Sequence, residues 1–161
     1  MFQDGNSDLS SQENKLLELL RLLWRGGHCG IYCSIDSSGI VSGIKDQVLT
    51  RVGIKDRVIT EGINPPPDYH KTKDTYFSVH PLIKGRVGKR GKAEDVAAVN
   101  CLIGDFDCGE RKPYKDKKAA SEHIIKKSPI PPTAIVDSGG GYHCYWIFKE
   151  PFIIETDEDR Q

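Results

Sequence analysis

No stretch of this sequence approaches the roughly 18 consecutive apolar residues that a membrane-spanning helix requires, so none is expected. Nor is there an excess of one charge. Lys plus Arg and Asp plus Glu both number 23, which removes the global cationic signature of a nucleic-acid coat protein. The N-terminus is acidic and polar, unlike a signal peptide. The five cysteines are odd in number and lack the spacing of a disulfide framework, so reduced thiols in a cytoplasm are expected. His28, Cys29 and Cys33 lie close together, yet no second ligand pair of normal spacing accompanies them. They read as small, half-buried strand residues.

What remains is an ordinary soluble composition, 37% hydrophobic and 29% charged over 161 residues, enough for one domain with a core. The charge is unevenly spread. Lys71, Lys73, Lys84, Arg86, Lys89, Arg90 and Lys92 face a single acid, Asp74, in their stretch, and a second basic run spans Arg111 to Lys127. Such runs are either solvated surface or a local phosphate-binding face.

Residues 1–9 read as disordered. Ser10-Ser-Gln-Glu13 has capping-box spacing, followed by leucines at three- and four-residue steps as far as Trp24 and a stop at Gly26-Gly27. Two strand-like runs surround an Asp36-Ser-Ser-Gly39 turn. A short repeat follows, Gly43–Thr50 and Gly53–Thr60, two copies that suggest a duplication or a hairpin-like insertion. Pro65–Pro67 marks a loop, Thr75–His80 a strand, and Lys84–Lys92 a mobile basic loop. Ala97–Gly104 is almost continuously apolar, as a central strand buried on both faces would be. Lys115–Lys127 reads as a helix with Ala119, Ala120, Ile124 and Ile125 inward, ended by Pro129–Pro132. Strands are expected at Thr133–Val136 and Gly141–Phe148. The whole implies an α+β sheet domain.

Two features carry chemistry. The first is Ile103-Gly-Asp-Phe-Asp107, at the end of the apolar strand. Side chains at i and i+2 leave a strand on the same face, so Asp105 and Asp107 project together while Phe106 turns to the core. Two neighbouring carboxylates repel unless a cation neutralises them, and hard oxygen ligands suit Mg²⁺ or Mn²⁺. An isolated Asp-x-Asp is nonetheless common in turns and helix caps. The second feature is Val136-Asp-Ser-Gly-Gly-Gly-Tyr-His143. The three glycines allow close backbone approach and expose N–H groups of the kind that cradle phosphate. Along the next strand His143 and Tyr145 share one face, and Tyr142, Cys144, Trp146 and Phe148 share the apolar one. A hairpin loop with an incidental histidine would account equally for this string taken alone.

Together the two features resemble the motifs of the archaeo-eukaryotic primase superfamily, found in primase-polymerases and in primase domains of phages, plasmids and other mobile elements, the RepB-like ones included. Leu102-Ile-Gly-Asp-Phe-Asp107 looks like the family's first motif and Gly141-Tyr-His143 like its second, with one helix and one strand between them. Tyr76–His80 and Arg90–Val96 are similar to its upstream segment. The likeness runs from Thr75 to Phe152, within a catalytic domain expected over residues 10–155.

The resemblance implies an RRM-like mixed or antiparallel sheet with helices packed on one face. It implies template-directed nucleotidyl transfer from nucleoside triphosphates on a single-stranded DNA template or primer-template, in replication of a mobile element. Asp105 and Asp107 would hold Mg²⁺ or Mn²⁺, and His143 would contact the nucleotide's phosphates. Ser138, Gly139, Gly140 and Gly141 would shape the pocket. Arg86, Arg90 and Lys92 are added on charge alone. The family's third motif, an acid on a later strand, has no counterpart here: Asp157, Glu158 and Asp159 sit in a polar tail, residues 156–161. The chain is therefore expected to be a C-terminally truncated piece, with a helicase region a candidate for what lies downstream, rather than a degenerate gene. The competing expectation is a non-catalytic nucleotide- or single-strand-binding remnant. A rolling-circle nicking protein would need paired histidines where Cys144 and Tyr145 follow His143.

Overall fold

The computed structural model describes residues 6–26, 29–35, 41–48, 50–54, 57–61, 74–83 and 91–160. His28, the Asp36–Gly39 turn, Pro65–Pro67 and the basic residues Lys84, Arg86, Lys89 and Arg90 lie outside that set. The protein is α+β, and the chain divides into two compact units, Met1–Asn100 with Glu150–Gln161, and Cys101–Lys149. No helix of the described residues is long and apolar enough to cross a membrane.

The first unit opens with helix α1 (Asn6–Leu23). It begins four residues before Ser10, so the expected capping box lies inside the helix and residues 6–9 are helical rather than disordered. Asn6, Ser7 and Asp8 are themselves residues that favour a helix start, and each added turn-forming residue gains a hydrogen bond once the helix is nucleated. The leucine spacing does place a buried stripe: Leu19, Leu20, Leu23 and Trp24 are buried. Gly26, at φ +79°, ends the run as the sequence suggests. The open carbonyls of Leu23 and Arg25 accept from Asn100 Nδ2 at 2.6 and 2.7 Å, so a buried amide from elsewhere in the unit caps the helix. Trp24 Nε1 donates to Ser78 O at 2.7 Å.

Strands β1 (Cys29–Ile35) and β2 (Val41–Val48) pair antiparallel on either side of the expected turn. Strands β3 (Thr50–Ile54) and β4 (Arg57–Glu61) form a separate antiparallel pair. The two repeat copies thus take different structures. The first runs along β2, while the second folds back so that Ile54 pairs with Arg57 and Gly53 with Val58. Strand β5 (Asp74–Phe77) joins the other edge of β1 and stops short of His80.

Strand β6 (Ala98–Asp107) leads into the second unit. Helix α2 (Lys117–Lys127) follows, capped by Asp116, whose carboxylate accepts from Ala119 N at 2.8 Å. Strands β7 (Ala134–Asp137) and β8 (Gly141–Ile153) complete a three-stranded antiparallel sheet in the order β6-β8-β7. Two sequence expectations are corrected here. Among the described residues β6 is an edge strand, not a central one: Ala98, Asn100 and Cys101 are buried, but Leu102 is 62% and Ile103 45% exposed. An apolar run requires two covered faces to be a central strand, and its neighbours decide that. In α2, Ala120 and Ile124 are buried, whereas Ile125 points to solvent at 74% exposure. One residue along a helix turns the side chain by about 100°, so Ile124 and Ile125 cannot both face inward.

Candidate functional site

The alternation of β6 puts Phe106 on the helix side of the sheet. Its ring lies 5.8 Å from Tyr114 and 6.3 Å from His123 of α2, centroid to centroid. Asp105 and Asp107 leave the opposite face, 61% and 42% exposed. His143 Nε2, on the neighbouring strand β8, is 3.8 Å from Asp105 Oδ1. That is contact between a carboxylate and an imidazole, longer than a hydrogen bond. Among the described residues no three His, Cys, Asp or Glu side chains are gathered as a ready metal cage, so Asp105, Asp107 and His143 do not form a three-ligand site by themselves. The donor chemistry nevertheless fits Mg²⁺ or Mn²⁺, which accept one or two protein carboxylates and fill the remaining positions with water and substrate phosphate.

The face shared by His143 and Tyr145 is not uniformly polar. Tyr145 is 1% exposed, and its hydroxyl is pushed up to about 12, first by burial and then by the nearby Cys101 and Asp105. β8 is the middle strand, with β6 on one edge and β7 on the other, and it is buried at Gly141, Cys144 and Tyr145. His143, 34% exposed, lies beside Asp105. Burial likewise pushes the Cys101 thiol up to about 11 and raises that of Cys144; with Cys108, both are free thiols.

The segment after β6 supplies a residue that the sequence did not single out. Lys112 Nζ donates to Asp107 Oδ2 at 2.6 Å. Its amine is held above the usual lysine range by the hydrogen bond and charge of Asp107, with a smaller push from the charge of Asp105. The loop that carries it is closed by backbone hydrogen bonds. Tyr114 N–H donates to Asp107 O, Gly109 N–H to Tyr114 O and Lys112 N–H to Gly109 O. Arg111 sits at φ +65°, unusual for a non-glycine residue. No sequence rule links a lysine five positions on to an aspartate across such a turn.

The glycine loop is more occupied than expected. Gly139 N–H donates to Asp137 Oδ1 at 2.8 Å, and Ser138 N–H to Gly141 O at 3.1 Å. The Gly139 N–H, expected to face phosphate, therefore closes the turn itself, as does the Ser138 N–H. Gly141 serves packing: a Cβ there would overlap the carbonyl of Phe106. Gly140 has open space at its Cβ position, and its carbonyl accepts from Cys108 N–H, tying the glycine loop to the loop of Lys112. Asp137, also unmarked in the sequence, accepts from Lys117 Nζ through both oxygens at 2.7 and 2.8 Å. Lys117 first, then the Gly139 N–H, holds the Asp137 carboxyl below its usual range.

Of the basic candidates, Arg86 and Arg90 lie outside the described residues. Lys92 belongs to the first unit, where its Nζ is 3.4 Å from Glu94 and its N–H donates to Asp95. In the tail, Asp159 accepts from the backbone of Glu155 and Thr156, so its carboxylate serves a local turn. A groove of about 620 Å³ in the second unit is lined mainly by apolar side chains, among them Leu102, Ile103, Ile130, Trp146 and Phe148. None of Asp105, Asp107 or His143 lines it.

Comparisons with protein-family models, curated proteins and solved structures each return no match.

Proposed function

We propose that the second unit is the nucleotidyl-transfer core of a DNA primase-polymerase of the archaeo-eukaryotic primase superfamily, built on an RRM-like sheet and serving replication of a phage, plasmid or other mobile element. The observation that carries this reading is the juxtaposition of Asp105, Asp107 and His143 on one open face at the ends of two neighbouring strands. Asp105 and Asp107 are the residues to hold Mg²⁺ or Mn²⁺, which supplies charge neutralisation for phosphoryl transfer when bound. His143, 34% exposed beside Asp105, donates to the phosphates of an incoming nucleoside triphosphate. The partners are nucleoside triphosphates and a single-stranded template or primer-template.

One observation favours the second reading, a nucleotide- or single-strand-binding module without catalysis: Lys112 already neutralises Asp107. Primer synthesis separates the two. The protein, supplied with single-stranded DNA, ribo- and deoxynucleoside triphosphates and Mg²⁺ or Mn²⁺, is expected to extend primers, and Asp105→Ala with Asp107→Ala to abolish incorporation. Incorporation that survives the double substitution overturns the catalytic assignment. Nucleotide binding with no incorporation by the wild-type chain moves the conclusion to the binding module.

A further inference from the structure

We infer that Lys112 is the resident counter-cation of the aspartate pair and competes with a divalent metal ion for Asp107; this rests on the metal-site reading above. Three observations support it. The ammonium sits on Asp107 Oδ2 at 2.6 Å, which is within first-contact distance of the carboxylate. Asp105 is met differently, by His143 Nε2 at 3.8 Å. The pair is therefore asymmetric, with one carboxylate neutralised internally and the other facing an imidazole.

The second observation is how the lysine is delivered. The turn that carries it starts and ends on the backbone of Asp107 and Tyr114, and its Gly109 to Lys112 reversal includes Arg111 in the left-handed region. A non-glycine residue persists there only when the surrounding structure over-determines the conformation. The turn thus returns Lys112 to the very aspartate from which the loop departs.

The third observation is exposure. The Lys112 and Asp107 side chains are 51% and 42% exposed, so the ion pair is solvated and weak enough to be displaced. A doubly charged ion that brings triphosphate oxygens with it offers Asp107 a stronger partner and offers the released Lys112 a phosphate oxygen. Lys112 then neutralises Asp107 when no ion is bound and passes to the nucleotide when one is. It is a positioning residue.

The test is Mn²⁺ binding, read from the EPR signal of free Mn²⁺ in the absence of nucleotide. Lys112→Met is expected to bind Mn²⁺ roughly two- to fivefold tighter than the wild-type chain, and Lys112→Arg to restore the weaker binding. Lys115→Met, at an exposed lysine nearby, controls for loss of one positive charge without the Asp107 contact. Tightening confined to Lys112→Met supports the inference. Equal tightening in both methionine variants, or none in either, overturns it while leaving the metal site intact, provided that Asp105→Ala weakens binding. Mn²⁺ binding that is undetectable, or indifferent to Asp105→Ala, overturns the metal-site reading itself and the inference with it.

Discussion

Gly141 lies so close to the carbonyl of Phe106, the residue between the two aspartates, that no side chain fits between them. The glycine therefore sets the separation of β6 and β8 at the point where Asp105 and His143 face each other. Its place in the motif is explained by strand contact before any ligand is considered. The three consecutive glycines are accordingly expected to differ. Gly141→Ala should cost about 2 kcal/mol or more, because backbone must move. Gly139→Ala should cost about 1 kcal/mol, because its φ of +85° is a left-handed conformation. Gly140→Ala should stay within about 0.5 kcal/mol, its Cβ direction being open. Urea midpoints of the three variants check the order, and equal losses would refute it.

Asn100 is fully buried and donates to two carbonyls at the end of α1, while its Oδ1 has no partner among the described residues. Asn100→Ala removes both bonds, the one to Leu23 O in a buried setting, and a loss of about 2 kcal/mol is expected from buried groups of this kind. Far-ultraviolet circular dichroism through a denaturant series measures it. Asn100→Asp, which replaces the donor by a charge, should be worse still.

The Asp137 carboxyl is held below its ordinary value of 3.8 by Lys117 and by the Gly139 N–H. A lowered folded value means that the unfolded chain binds the proton more readily. The contribution to stability is thus present above pH 3.8 and lost as pH falls through the lowered folded value. Lys117→Met should raise the Asp137 midpoint towards its ordinary value, read by carboxyl-carbon NMR titration. An unmoved midpoint would show that the Gly139 N–H alone suffices.

Burial lowers the His80 imidazole from its ordinary value of 6.5, and its Nδ1 is buried without a hydrogen-bond partner among the described residues. The neutral ring is the one the fold accommodates. Stability should be full above pH 6.5 and decline as pH falls through the lowered folded value, because the unfolded chain takes up the proton first. His80→Leu should flatten this part of the curve, comparing guanidinium midpoints at pH 7.5 and 5 as about the two sides of the ordinary histidine value.

Legibility in the sequence followed the range of the interactions. The leucine stripe of α1, the strands β1 and β2 and the side-by-side aspartates of β6 depend on local periodicity, which a sequence displays directly. The start of α1 and the inward face of α2 were misjudged by a few residues or one position, where periodic signals are least sharp. The Lys112–Asp107 and Lys117–Asp137 pairs and the Asn100 cap were not legible, because each is created by the path of a loop or by contact between elements distant in the chain.

By itself, then, the sequence determined that Asp105 and Asp107 share a face, that Phe106 opposes them, and that His143 lies near the start of a strand that follows a glycine turn. Backbone stereochemistry makes those outcomes independent of the rest of the molecule. The tertiary structure alone decided that β6 lies at the sheet edge with β8 in the middle, that Tyr145 is buried beside an accessible His143, and that a lysine occupies Asp107. Strand order and the closure of a loop are properties of how faces are covered, and no residue carries that information in its own neighbourhood.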